Sequence, residues 1–418
     1  MKGSRLPQGT SDPVTFECTC GAGKDGSVLL FYRYFAADPP LPITHQAKAE
    51  DPNGLVRFHA TMTKELGLGG KIRVGKEGFN ITVGGIASSI EAYMKACLSH
   101  WSFEGLDLDS EEKQRAFFKP TPGGCACVFG GALASVLVKN EITPMGVTDY
   151  VPKNWGAIES LSPKEFHERC FEQGEKVLID VRNHYESRIG YFVDPVSGTE
   201  AVRPRIRRFS QWPQYVKRFM AGSDEEQKKT GRQIMTYCTG GIRCEKGVRY
   251  LQEKMEKREG DRICTLKGGI QAYLTWMDKE IREGRMKPED SLFKGRNYVF
   301  DARGSTGLSG DVTVEPVSKC QTCSMPSDRL SKCQSRGCHL VLVVCQDCEE
   351  GAGPRCCGSC EKFDGEFSVY QEDAVPLRRP ICDCEKEREA QLWGGEQFRP
   401  SNSQKKNGKI DIRVKLID

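Results

Sequence analysis

The residues with the clearest capacity for chemistry form a short loop that joins an apolar strand pattern to a helical one. The loop reads Cys238-Thr239-Gly240-Gly241-Ile242-Arg243. Glycines let successive backbone N–H groups turn inward, and together with a helix N-terminus these groups stabilise an anion. A cysteine held there favours the thiolate, which is its nucleophilic form. The loop therefore predicts that Cys238 is a catalytic nucleophile.

Arg243 closes the loop and is expected to place a permanent positive charge at its rim, which suits an oxyanion. A buried structural cysteine is one alternative, but such a residue does not require two glycines, which cost conformational entropy. A cysteine phosphatase is a sharper alternative, although its loop is one residue longer than the four residues between Cys238 and Arg243. The shorter loop favours a reaction at sulfur.

Cys244 follows the loop at the predicted start of the helix. It could resolve a persulfide or sulfenic acid at Cys238 by forming a disulfide. A structural role as a small buried helix residue is the alternative that we favour, and Cys244 remains among the candidate catalytic residues.

Cysteine pairs cluster later in the chain, in a spacing typical of zinc sites. The four pairs are Cys320 with Cys323, Cys333 with Cys338, Cys345 with Cys348, and Cys357 with Cys360. Eight thiolates serve two tetrahedral ions and leave Cys356 over. Disulfides are disfavoured by the expected cytoplasmic location, and the spacing lacks the tighter motifs of iron–sulfur proteins. A RING-like interaction module without catalysis has the same spacing, but it would not need the Cys238 loop.

Composition limits the remaining possibilities. The chain has 418 residues, 38% hydrophobic and 28% charged, with a formal net charge of +4. It predicts two or three soluble domains, because single cores stop growing beyond roughly 250 residues. No apolar run reaches the roughly 20 residues of a membrane helix, and no targeting segment is recognised, so no membrane association and a cytoplasmic location are expected. The charge is too small to predict nucleic-acid binding by itself, and no nucleotide or flavin site is recognised.

Hydrophobic patterns divide the chain into segments that would position these cysteines. The first segment reads β-α-β-β-α-β, ending in a strand at 132–139, which is the order of a split βαβ domain. The second alternates strands, clearest at 177–181 and 233–237, with helices, as in an open parallel sheet. The predicted divisions are a flexible N-terminus at 1–27, an α+β acylphosphatase- or ferredoxin-like domain at 28–145, an α/β domain at 154–290, a Cys-rich region at 291–362 and a loosely ordered polar tail at 363–418.

Two stretches around the loop resemble rhodanese signatures. Residues 178–186, Leu-Ile-Asp-Val-Arg-Asn-His-Tyr-Glu, resemble the first, and Leu-Lys-Gly-Gly-Ile at 266–270 resembles the last, with Cys238 between them. The resemblance implies an α/β rhodanese domain with Cys238 as its nucleophile. It also implies that Asp180 and Arg182 brace the active loop, and that Gly268 and Gly269 let the next helix pack closely.

The chain over roughly 28–360 is similar to the TrhO family of oxygen-dependent tRNA uridine hydroxylases. Residues 70–84 and 293–303, the Cys238 loop and the cysteine cluster carry this resemblance. It implies that the substrate is tRNA and that the wobble uridine is modified at a base carbon. A sulfurtransferase that passes persulfide sulfur from Cys238, supplied by thiosulfate or a protein donor, is the alternative.

Basic residues are the candidates for contact with tRNA phosphates. Lys71, Arg73 and Lys76 lie in the first segment, and the basic stretch 203–208 precedes Trp212 and Tyr215, which suit base contacts. Plain solvation of these charges is the alternative for the first set, and a solvated loop is the favoured interpretation of the second.

Overall fold

A computed structural model describes residues 25–221, 231–255, 260–308, 315–335, 338, 340–351, 353–367 and 381–393. Most of the predicted flexible N-terminus and much of the predicted polar tail lie outside these residues. None of the helices in the described ranges combines the length and apolar character that a bilayer crossing requires.

The N-terminal domain packs helices on one five-stranded sheet. Asp51 accepts a hydrogen bond from the Asn53 N–H and caps the helix that Pro52 begins, as expected where the first-turn donors lack partners. The elements are β1 (Gly26–Tyr34), α1 (Ile43–Ala49), α2 (Pro52–Glu65), β2 (Gly69–Gly75), β3 (Gly78–Ile86), α3 (Ala87–Leu98), α4 (Glu111–Phe118), β4 (Thr121–Pro122) and β5 (Ala134–Val138).

The sheet order β4-β1-β3-β2-β5 contains the predicted split βαβ arrangement, but its last strand is not the predicted one. The short strand β4 pairs antiparallel with β1, in the place expected for the strand at 132–139. That segment forms β5 instead, which pairs parallel with β2 at the opposite edge. The residue types at 132–139 correctly predicted a strand. They did not predict the sheet edge at which it pairs, because that depends on the path of the preceding loop.

The central domain has a four-stranded parallel sheet in the order β6-β10-β9-β7. Ser162 and Glu165 form a capping box at the start of its first helix. The elements are β6 (Glu159–Leu161), α5 (Pro163–Cys170), β7 (Lys176–Asp180), β8 (Gly190–Phe192), α6 (Trp212–Ala221), β9 (Gln233–Tyr237), α7 (Ile242–Lys254), β10 (Arg262–Leu266) and α8 (Gly269–Arg282). Because β9 is an inner strand, the loop after it opens at the carboxyl edge of the sheet, where ligands bind in open α/β folds.

The C-terminal region is built from short elements and is attached to the central domain by strand pairing. Strand β11 pairs antiparallel with β8. The elements are β11 (Phe293–Gly295), β12 (Asn297–Tyr298), β13 (Ser305–Thr306), β14 (Leu330–Lys332), β15 (Val341–Val343), α9 (Gln346–Glu350), α10 (Gly358–Phe367) and α11 (Asp383–Trp393).

Helix α11 contradicts the prediction of a loosely ordered tail for residues 383–393. Leu392 is buried in the core of the central domain. Arg388 donates to the Arg205 carbonyl oxygen at 2.5 Å and to Gln211 at 3.4 Å. The high charge of this segment suggested solvation, but its charges are paired: Glu385 binds both Arg388 and Arg207.

Candidate active site and cysteine clusters

The Cys238 loop forms a backbone cradle around a fully buried sulfur. Cys238 follows β9 directly, and its side chain is 0% exposed. The Gly241 N–H donates to Cys238 Sγ at 3.2 Å. Gly241 has a φ of 99°, a conformation that glycine adopts without the steric cost of a Cβ atom. The glycine therefore turns its own N–H group toward the sulfur.

These contacts favour the thiolate of Cys238. Burial opposes ionisation, but a hydrogen bond from the Cys244 side chain, the charge of Arg243 and the backbone N–H groups of both residues outweigh it and lower the pKa of Cys238 to about 6. Burial and the neighbouring Cys238 sulfur raise the pKa of Cys244, so Cys244 is the thiol that donates. The structure thus brings both predicted cysteines together.

Arg243 is not free at the rim of the loop, as the sequence suggested. Its guanidinium is buried and binds Glu186 through two hydrogen bonds of 2.6 and 2.7 Å. Thr239 joins the same group, because its hydroxyl donates to Glu186 at 3.2 Å and accepts from Arg243 at 3.0 Å. Much of the cationic charge is therefore compensated inside the protein.

Glu186 is a site residue that the sequence analysis did not select. It is the last residue of the rhodanese-like stretch 178–186, which was the available signal, and it is 0% exposed. The bracing role expected of Asp180 and Arg182 falls largely to Glu186. Arg182 donates to Asp180 at 2.7 Å and to the Gly190 carbonyl oxygen at 2.5 Å. They therefore fix the end of β7 against β8, beside the loop.

The start of α8 holds the other side of the loop. The Ile270 N–H donates to the Cys238 carbonyl oxygen at 2.9 Å. A Cβ on Gly269 would lie 2.4 Å from that oxygen, and Gly268 has a φ of 73°. Only glycines allow this approach, in agreement with the close packing expected at 268–269.

The N-terminal domain covers the outer face of the loop. A Cβ on Gly240 would lie 2.9 Å from Leu30, and one on Gly241 would lie 2.7 Å from the Tyr32 hydroxyl. Both covering side chains come from β1, two residues apart on one face. The nucleophile consequently lies between two domains, a position that sequence reasoning did not anticipate.

Lys119 is a second site residue that the sequence analysis missed. It ends α4 in a left-handed conformation with φ 49° and is 9% exposed. Its ammonium nitrogen lies 5.5 Å from the centre of the Tyr32 ring. Burial lowers the pKa of Lys119 to about 8, and the nearby Cys238 thiolate opposes this shift. Lys119 thus brings a titratable amine to the loop from the other domain.

Polar contacts hold the two domains together around this site. Lys246 of α7 is buried and binds Glu77 at 3.1 Å and Glu141 at 2.9 Å, both from the N-terminal side. The Tyr32 hydroxyl donates to Glu245 at 3.2 Å. Such a polar interface resembles those between domains that move relative to each other.

The predicted tRNA-contacting residues have different surroundings. Lys71, Arg73 and Lys76 are exposed on or beside β2, and Lys76 pairs with Glu50 at 2.8 Å. Trp212 cannot stack on a base in this structure, because it is 0% exposed and donates to the Gly247 carbonyl oxygen. Its aromatic character reflects core packing, which the sequence pattern did not distinguish from a binding role.

In the basic stretch, Arg203 and Arg205 are both exposed, and Arg203 also pairs with Glu200 and stacks on Tyr191. Tyr215 is partly buried, and its ring lies 5.2 Å from that of Trp212. The stretch is therefore a partly paired surface segment.

The C-terminal cysteines form groups of four that could hold metal ions. Within each group the sulfur atoms lie within 4.8 Å of one another. The groups are Cys320, Cys323, Cys345 and Cys348; Cys333, Cys338, Cys356 and Cys360; and Cys356, Cys357, Cys360 and Cys382. The prediction that Cys356 is left over is wrong, since two groups include it. Cys382 was not predicted, although it forms a Cys-x-Cys pair with Cys384, because it lies 22 positions beyond Cys360, in the predicted polar tail.

The comparisons with known proteins agree with this architecture. Residues 26–121 match a family model described as UPF0176 acylphosphatase like domain, and residues 294–361 match one described as Rhodanase C-terminal. Rhodanese-like domain-containing protein 6 of Arabidopsis thaliana is 31% identical over 84% of this chain, and the chain spans 55% of that protein's length.

Bacterial relatives are matched over nearly their whole length. The tRNA uridine(34) hydroxylase of Bacillus licheniformis is 30% identical over 80% of this chain and 87% of the relative. That of Bacillus pumilus is 29% identical over 87% of this chain and 98% of the relative. These matches confirm the resemblance found in the sequence. The chain therefore belongs to the family of rhodanese-domain proteins that includes the bacterial tRNA uridine(34) hydroxylases.

Proposed function

We propose that this protein is a tRNA-modifying enzyme that hydroxylates the wobble uridine in an oxygen-dependent reaction, with Cys238 as its nucleophile. The observation that carries the proposal is the buried Cys238 thiolate, held in a rhodanese-type loop and covered by the acylphosphatase-like domain. The relatives named for this activity match 87% and 80% of the chain, and the acylphosphatase-like family model matches the residues of the N-terminal domain that cover the loop.

A thiolate in this cradle suits chemistry on a uracil base. Uracil is an electron-poor conjugated ring, and a soft nucleophile adds to it reversibly, which raises electron density at the adjacent ring carbon. The Cys244 hydrogen bond, the Arg243 charge and the loop amides outweigh burial, lower the pKa of Cys238 to about 6 and so keep the sulfur ionised near neutral pH. Arg243 and Thr239 keep the loop in shape through Glu186, and Lys119 supplies an amine that could exchange a proton with the base.

Because Cys238 is fully buried, the base has to enter between the two domains. Bases that undergo chemistry are extruded into closed pockets in other nucleic-acid enzymes. The exposed charges of Lys71 and Arg73 are the proposed phosphate contacts, and the tRNA would lie across the first two domains, at 28–145 and 154–290. Each phosphate contact would contribute to salt-dependent binding.

The group of Cys320, Cys323, Cys345 and Cys348 is the proposed structural zinc site. Four thiolates from two Cys-x2-Cys turns match the donor set of closed zinc sites. Cys323 Sγ and Cys345 Sγ lie 3.6 Å apart, close to the edge of about 3.8 Å that a tetrahedron with Zn–S bonds of about 2.3 Å requires.

The test is mass spectrometry of tRNA nucleosides from cells that lack this protein, complemented with the wild type, Cys238→Ser or Cys170→Ser. Cys170 is a matched control, since it is buried in the same domain away from the loop. We expect a hydroxylated uridine to be lost without the protein and restored by the wild type and Cys170→Ser only.

Unchanged nucleosides in the deleted cells would overturn the proposal. Such a result would favour the alternative of sulfur transfer from Cys238 to a small molecule or protein. Restoration by Cys238→Ser would show instead that the tRNA activity does not use this thiolate.

A further inference from the structure

Two of the cysteine groups in the C-terminal region overlap. The first contains Cys333, Cys338, Cys356 and Cys360, and the second contains Cys356, Cys357, Cys360 and Cys382. Both groups include Cys356 and Cys360. We propose that these six cysteines bind two divalent metal ions of the zinc class as one binuclear thiolate cluster, with Cys356 and Cys360 bridging the two ions.

The distances between sulfur atoms fit two tetrahedra that share an edge. An isolated tetrahedron with Zn–S bonds of about 2.3 Å has edges of about 3.8 Å. Cys356 Sγ lies 3.8 Å from Cys338 Sγ in the first group and 3.6 Å from Cys382 Sγ in the second. Cys356 Sγ and Cys360 Sγ are closer, at 3.1 Å. A shared edge is expected to be shorter, because the bridging anions draw together between two cations that repel each other.

A single ion would not account for all of these sulfurs. It would take four ligands and leave Cys357 and Cys382 beside the site, although Cys382 is 6% exposed and packs among the other cysteines. A second divalent ion uses both thiols and releases their two protons. Its two positive charges are balanced by the two new thiolates, so the cluster carries the same net charge as a single tetrathiolate site.

The second ion would connect distant parts of the chain. Cys382 lies beyond the residues 294–361 that match the C-terminal family model, and it immediately precedes α11. That helix is bound to the central domain through Arg388 and Leu392. Metal binding at Cys382 therefore stabilises the docking of α11 on the rhodanese fold.

Native mass spectrometry of the full chain, loaded with Zn²⁺, tests this inference. With the separate group of Cys320, Cys323, Cys345 and Cys348, the wild type is expected to bind three ions. Cys382→Ser should retain two. Cys170→Ser is the matched control, because Cys170 is buried in the central domain and belongs to none of the groups, and it should retain three. Two ions in the wild type, three in Cys382→Ser, or equal loss in both variants would overturn the proposal.

A second measurement does not depend on any substitution. In the wild type loaded with an NMR-active cadmium isotope, bridging thiolates should produce two signals with mutual scalar coupling, in addition to one uncoupled signal. Three uncoupled signals, or only two signals, would contradict a bridged cluster.

Discussion

The Cys238 loop and the C-terminal cysteine clusters both contain cysteine side chains, but the groups around the sulfur atoms differ. At the loop, the Cys238 sulfur receives a hydrogen bond from the Cys244 thiol and lies near backbone N–H groups and the Arg243 guanidinium, which together favour its negative charge. In the clusters, several sulfurs lie within 4.8 Å of one another. Ionised thiolates at that spacing repel each other unless a cation lies between them.

This difference explains which cysteines can react. A thiolate supported by fixed dipoles keeps its lone pairs available to a substrate, whereas a thiolate bound to metal shares them with the ion. The loop supports its thiolate through the Cys244 thiol, the Arg243 charge and its own amides, whereas the clusters are expected to need a cation between their thiolates. Substitutions in the loop should therefore affect the loop alone, and metal removal should affect the C-terminal clusters alone.

The largest expected effect is on activity. Cys238→Ser should reduce the tRNA product to the level of cells without the protein, while zinc content stays unchanged, because Cys238 belongs to none of the metal-binding groups. Metal analysis and nucleoside mass spectrometry of the same preparation check both parts. Loss of metal in this variant would show that the regions are coupled.

The same variant should change how stability depends on pH. The pKa of Cys238 falls from 9.0 to about 6 on folding, so its thiolate contributes stability that is present above pH 9 and is lost as the pH falls through 6. The difference in unfolding free energy between wild type and Cys238→Ser should therefore rise between those values. A difference that is flat with pH in denaturant titrations would contradict a depressed pKa.

Metal removal should have the next largest effect, confined to the C-terminal region. A chelator is expected to expose the amides of β14 and β15 and of α11 to hydrogen exchange, because closely spaced thiolates repel one another once the metal between them is removed. Strand β9 should remain protected, since it lies inside the parallel sheet. Early exchange of β9 amides would show that the central domain does not fold independently of the metal.

Glu186→Gln should destabilise the loop without affecting the clusters. It leaves the buried Arg243 charge without its anionic partner, and breaking a buried ion pair costs about 3–5 kcal/mol. Glu159→Gln is the control, because its pair with Arg169 is half exposed and contributes less than about 1 kcal/mol. Denaturant unfolding measures both changes, and equal effects would exclude a special role for Glu186.

The smallest expected effect is electrostatic. Lys119→Met should raise the pKa of Cys238 by up to about one unit, because it removes a cation that interacts with the thiolate. Titration of the ultraviolet thiolate absorbance, corrected with Cys238→Ser, measures the shift. Lys95→Met, which alters another lysine of the N-terminal domain, should leave that pKa unchanged.

The sequence alone determined the features that depend on neighbouring residues. The strand at 233–237 was predicted with the bounds it has, since five consecutive positions carry the pattern. The glycines beside Cys238 indicated the cradle, because a turn with positive φ is a local requirement. Short Cys-x2-Cys spacings indicated metal ligands, because the placement of two thiolates on one ion also depends only on neighbouring residues.

Only the tertiary structure decided which distant residues meet. Glu186 binds Arg243 across 57 positions of sequence, and Lys119 reaches the loop from another domain. Cys382 joins a group whose other members all lie at least 22 positions earlier in the chain, since Cys360 is the nearest of them. Such contacts depend on how the chain closes its loops and packs its domains, which local spacing does not encode. Short sequence motifs therefore identified the reactive and metal-binding cysteines, and the fold determined which distant residues surround them.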